Sequence, residues 1–113
     1  MENLLNKEAV NRVSEFIKKF DDKLDIIVLD TTARTAEDAA NSLKCQTGAI
    51  VKSLLFKADE SFLICLIAGD RRCSLNKLKK ILQKKDVSMA NADEVKSITG
   101  FSIGGVSPVA HIS

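Results

Sequence analysis

The chain contains no tryptophan and no tyrosine, and five phenylalanines are its only aromatics among 113 residues. A platform on which nucleobases stack has little to be built from. Cysteine is scarce and odd in number: Cys45, Cys65 and Cys73 form no C-x-x-C pair, and His111 is the single imidazole that could join them. A disulfide framework or a metal site is therefore not expected. No apolar run approaches the roughly 18 residues of a membrane span. The N-terminus, with Glu2 and Asn3, carries no apolar signal core, so a cytoplasmic protein without membrane contact is expected. Neither a G-x-x-x-x-G-K phosphate loop nor a G-x-G-x-x-G fingerprint occurs. Acidic residues are missing from the whole stretch 71–85.

What is present describes a folded domain. A hydrophobic share of 45% with 28% charged residues excludes a disordered chain, and 113 residues suit one domain, 1–113, with a sizeable core. Net charge is only +2, yet the acid-free stretch holds seven bases: Arg71, Arg72, Lys77, Lys79, Lys80, Lys84 and Lys85. Such a cluster either meets an anionic partner or is a solvated helix face beside the core, and composition alone does not choose.

Apolar residues at helical spacing, Val10, Val13, Phe16, Ile17 and Phe20, predict an amphipathic helix over 7–20 capped by Asn6. A short strand is expected at 25–29. Thr35, followed three residues later by Asp38, resembles a capping box opening a small-residue helix through Leu43, with Gly48 as its breaker. The runs 50–56 and 61–68, joined by Lys57-Ala58-Asp59-Glu60, read as an antiparallel hairpin. Both runs are apolar on both faces, so both are expected to be central. Ser74 caps a helix that turns Leu75, Leu78, Ile81 and Leu82 inward and displays Lys77, Lys80 and Lys84. A brief strand at 87–89 and a last helix at 92–99, opened by Asn91 with Glu94 and stopped by Gly100, complete the order. The expected architecture is α/β in the α+β sense, a mixed sheet surrounded by helices.

Two places could carry chemistry. Lys52 lies inside an apolar strand, where an ammonium must reach an opening, bind an anion or snorkel to an edge. Gly104-Gly105-Val106-Ser107-Pro108 is a loop whose main-chain N–H groups could hold a developing oxyanion, or it is simply a tight turn. Arg34, ahead of the second helix, reads equally well as a surface residue. A general base at His111 is conceivable, although a lone histidine near a terminus is more often just exposed. Cys65 reads as a core residue, and nothing near Cys45 or Cys73 argues for activation.

Taken together, Thr32 to Ala40, Gly48-Ala49-Ile50-Val51-Lys52-Ser53-Leu54-Leu55-Phe56, Ala68-Gly69-Asp70-Arg71-Arg72 and Thr99-Gly100-Phe101-Ser102-Ile103-Gly104-Gly105-Val106-Ser107-Pro108 resemble the YbaK/aminoacyl-tRNA synthetase-associated domain family. The resemblance implies a mixed, partly barrel-like sheet with helices around it. It also implies an enzyme that hydrolyses the ester of a mischarged aminoacyl-tRNA, Cys- or Ala-tRNA(Pro), with no metal and no cofactor. Lys52 matches the family's pocket lysine, which holds the terminal nucleotide. Gly104 and Pro108, with Gly105 between them, match the Gly-x-x-x-Pro loop that lines the reaction site. Arg34, Thr35, Arg71, Arg72, Lys77, Lys80 and Lys84 would serve the tRNA, and prolyl-tRNA synthetase is an implied partner.

Two departures from the family pattern stand out. Relatives are expected to continue past the loop with further strands and an acidic residue at the pocket, whereas this sequence stops at Ser113, as a truncated relative would. Ala110 stands where many relatives are expected to have glycine. The competing readings are accordingly a non-catalytic tRNA- or synthetase-binding module, and an inactive relative with an unprotected sheet edge.

Overall fold

A computed structural model describes residues 8–29 and 35–112. Helix α1 spans Glu8–Phe20 and α2 spans Ala36–Leu43; a 3-10 turn at Thr47–Ala49 leads into β1, Val51–Ala58. Strand β2, Ser61–Ala68, is followed by α3, Leu75–Leu82, then β3, Val87–Met89, and α4, Ala92–Thr99. Asn6, the expected cap of α1, lies outside the described residues, as does Arg34.

Local chemistry explains most boundaries. The Thr35 hydroxyl accepts from the Asp38 N–H at 3.1 Å, and the Ser74 hydroxyl accepts from the Lys77 N–H at 3.3 Å. In α4 the box closes both ways, Glu94 N–H to Asn91 Oδ1 at 2.8 Å and Asn91 N–H to Glu94 Oε1 at 3.0 Å. Helix α2 ends at Leu43 as expected, but the residue that stops it is Lys44 in a left-handed conformation (φ 57°), while Gly48, the expected breaker, falls in the 3-10 turn. The hairpin turn needs only Asp59 and Glu60, because Asp59 adopts φ 53° and lets β1 run on through Ala58.

The sheet order is β2-β1-β3. Strand β1 is central, whereas β2 lies at an edge, a correction to the expectation that both are interior. The physical reason is that β3, returning after α3, pairs with β1 (Phe56 opposite Met89, Ala58 opposite Val87) and leaves the outer side of β2 without a ladder among the described residues. Leu66 of β2 is 59% exposed. Both ladders are antiparallel, so the α+β class holds, while no parallel pair forms among the described residues. Residues 25–29 form no ladder either, and Ile27 and Val28 stay exposed, because no strand among the described residues runs beside them. No described helix is long and apolar enough to cross a membrane.

Alternation along β1 builds a core on each face. Phe56 and Ala58 pack with Leu78 of α3 and Val87, joined by Leu54, Cys65 and Cys73. Leu55 packs on the other side with Ala90 and Val95, joined by Phe62, Ile64, Ile98 and Val106. Helix α1 buries none of its residues, and Phe20 is 84% exposed.

Candidate functional site

Because β3 has three residues, it covers only the 56–58 portion of β1, and Ala90 N–H to Leu55 O at 3.1 Å is the last bond along that side. The edge of β1 at 51–54 is thereby left without a strand among the described residues. A cavity of about 660 Å³ lies there, touched by the four successive residues Val51, Lys52, Ser53 and Leu54. Successive side chains of a strand point to opposite faces, so a space that meets all four sits against the strand's edge. Thr35, Ala36 and Glu37 at the α2 entry also line it, as do Gly69, Gly104 and Val106.

Lys52 is half-buried, and its ammonium donates to the carbonyl of Arg71 at 2.8 Å. One of three N–H donors is engaged, which leaves two for an anion. Ser53, on the opposite face, has a buried hydroxyl with no hydrogen-bond partner among the described residues. A buried hydroxyl left unpaired is destabilising, by about 1–3 kcal/mol. Gly104 takes φ 81° and has open space where a Cβ would project. Gly105 N–H turns back to Ser102 O at 2.9 Å, while the N–H groups of Gly104 and Val106 have no acceptor among the described residues.

The expected residues do not all gather at this cavity. Lys52, Thr35 and Gly104 line it together, with Arg71 contributing its carbonyl. Gly105 is exposed and lines neither of the two larger cavities. Pro108 borders a separate cavity of about 670 Å³ beside β2, with Leu55, Phe62, Ile64, Ile98 and His111. That second space has no lysine or arginine in its lining, so the chemistry favours the first. Arg71, Arg72, Lys77 and Lys80 are exposed. Lys84 sits at the hairpin-turn end, 3.9 Å from Asp59, roughly 26 Å along the strand from Val51 at about 3.3 Å per residue.

His111 does not line the Lys52 cavity. Its Nε2 donates to Ser107 O at 2.6 Å, and its ring meets Phe101 edge-on at 5.9 Å between centroids. Cys65 touches Cys73; burial first, and then that neighbour, raises its thiol pKa. A thiol kept protonated is a poor nucleophile. Cys45 is exposed, and none of the three cysteines lines the Lys52 cavity. Ser53 was overlooked by sequence reasoning, although a serine next to the lysine in an otherwise apolar strand was the available signal.

A family profile described as an aminoacyl-tRNA editing domain matches residues 30–113. Proline--tRNA ligase of Lactobacillus johnsonii is 36% identical over 105 residues, covering 92% of this chain and 19% of the ligase. The corresponding ligase of Caldicellulosiruptor saccharolyticus is 35% identical over 82 residues, 73% of this chain and 14% of the ligase. The chain thus spans less than a fifth of the length of these relatives. A solved structure described as a candidate trans-editing enzyme for prolyl tRNA synthetase superposes with a TM-score of 0.87 at 31% identity, covering 95% of this chain and 68% of that one.

Proposed function

Since the chain belongs to the aminoacyl-tRNA editing domain family, we propose that it is a trans-editing deacylase that hydrolyses the ester of a mischarged tRNA, with Cys- or Ala-charged proline tRNA as substrate. The observation that carries the proposal is the half-buried Lys52 ammonium fixed beside Gly104 in one cavity. About 660 Å³ is within the range of small-ligand sites, typically about 300–1,000 Å³, and suits a terminal nucleoside with a small aminoacyl group.

An aminoacyl ester is already activated, so the protein's task is positioning and charge stabilisation. Lys52 holds a phosphate oxygen of the terminal nucleotide with its two remaining donors. The main-chain N–H groups around Gly104 donate to the carbonyl oxygen as it becomes an oxyanion. Water, or the thiol of a cysteinyl substrate, attacks the carbonyl carbon; the bond to the ribose oxygen breaks and that oxygen takes up a proton. No protein nucleophile, metal or cofactor enters this scheme. Arg71, Arg72, Lys77 and Lys80 supply salt-sensitive contacts to the tRNA backbone, in the cytoplasm where charged tRNA is used. The prolyl-tRNA ligase relatives support proline tRNA, and its synthetase, as the partners.

The test is hydrolysis of Cys- and Ala-charged proline tRNA by the purified chain. Loss of the ester that drops at least tenfold in both Lys52→Ala and Gly104→Val is the expected result. A chain that melts cooperatively and binds tRNA yet leaves the ester at its spontaneous rate would refute hydrolysis and leave a binding module.

A further inference from the structure

The loop that carries Gly104 is closed at its base by a residue of α1. Arg12 Nε donates to Ala110 O at 2.8 Å and Arg12 Nη2 to Thr99 O at 3.4 Å, so one guanidinium grips both ends of the loop. Ile112 N–H adds a bond to the same Thr99 carbonyl at 3.3 Å. The guanidinium carbon lies 4.5 Å from the centroid of the Phe101 ring, within cation–π range. Position 100 is shaped around this group: a Cβ on Gly100 would lie 2.7 Å from Arg12 Nη2, and φ there is 78°. From the same base, Thr99 Oγ1 accepts from Phe101 N–H at 3.0 Å, and His111 braces Ser107 from within the loop.

We infer that Arg12 is a positioning residue for the Gly104 loop, holding the main-chain donors of the pocket in place from the N-terminal helix. The activity half of this inference rests on the proposed deacylation; the structural half does not. Arginine suits the task because its planar fork presents donors in two directions while its face lies on an aromatic ring. Lysine, with a single donor head, would hold one carbonyl and lose the other. Because α1 buries none of its residues, Arg12 acts on the loop without being a core residue whose loss unfolds the domain.

Amide exchange in the full chain tests this directly. In Arg12→Ala, the Gly105, Val109 and Ile112 amides are expected to lose protection by about tenfold, the equivalent of one lost hydrogen bond, while amides of the β1–β2 ladder keep theirs. Methylguanidinium should restore loop protection, since the truncated site adjoins a cavity of about 290 Å³ lined by Ala110 and His111. In the hydrolysis assay kcat should fall while KM for charged tRNA stays within about twofold, and Arg12→Lys should fall between the two. Unchanged loop amides, or equal loss at loop and ladder, would overturn the inference. If the unaltered chain hydrolyses nothing while the loop amides respond and are rescued, the deacylase reading fails and the positioning of the loop stands.

Discussion

Gly69→Ala is the most exacting test of the packing that frames the pocket. A Cβ at position 69 would lie 2.4 Å from the Thr47 carbonyl oxygen, 2.8 Å from Ala36 Cβ and 3.2 Å from Ile50 Cβ. Two of these atoms belong to backbone or to a methyl directly on it, so no flexible side-chain end can yield. The end of β2 and the 3-10 turn must separate by most of an ångström, straining the Gly69 N–H to Ile50 O bond of 2.7 Å. Overpacking of this kind costs about 1–3 kcal/mol and loss of the bond about 1 more, giving roughly 2–4 kcal/mol. At about 2.1 cal/mol/K of unfolding entropy per residue, 113 residues carry roughly 240 cal/mol/K, so each kcal/mol lowers Tm by about 4 °C. Thermal unfolding followed by circular dichroism should therefore show a fall of roughly 8–16 °C. Gly105→Ala serves as the control, because its Cβ would meet nothing closer than Ser102 O at 3.5 Å, an ordinary contact. A Gly69→Ala chain melting within about 2 °C of the parent would refute the close approach of α2, the 3-10 turn and β2 on which the pocket's shape depends.

Ala110 holds φ 66°, a left-handed conformation that disfavours a side chain by about 1–2 kcal/mol, so Ala110→Gly should raise Tm by about 2–4 °C after allowing for the added freedom of glycine in the unfolded chain; no rise in a melting curve would count against that backbone geometry. The Asn91 N–H, and secondarily Lys57 at 3.4 Å, hold the Glu94 carboxyl below its ordinary pKa. A depressed carboxylate stabilises above the unfolded value of about 4.3 and loses that contribution as pH falls through the lower folded value. The Tm advantage of the parent over Glu94→Gln at pH 7 should accordingly shrink below about pH 4, and a gap independent of pH would show that the charge plays no part.

How far the sequence foretold the structure depended on the range of the interaction. The caps at Thr35, Ser74 and Asn91 were legible because donor and acceptor lie within three residues. The hairpin was legible because two apolar runs flank a short polar turn. The edge position of β2 was not, since it depends on which strand β3 selects after a helix, and the ladder expected at 25–29 needed a partner that local pattern cannot reveal. Within the site, Lys52 declared itself by being charged in an apolar strand. Its partner did not, because a main-chain carbonyl has no signature in the residue type at 71. Arg12 was equally silent: its two acceptors are 87 and 98 residues away.

The bond from Lys52 to the Arg71 carbonyl has a consequence for how fast and how tightly an anion can be taken. A lysine free in solvent has about 2 kcal/mol of rotamer entropy to lose when it is immobilised. Here that bond already restrains the side chain, so under the proposed role a phosphate would meet a pre-positioned ammonium and less contact energy would be spent on freezing a swinging tail. The anchor is also indifferent to the side chain at position 71. Arg71→Ala would strip a charge from the approach to the pocket while leaving the aim of Lys52 unaltered, so long-range attraction and point-of-contact geometry can drift independently at this site.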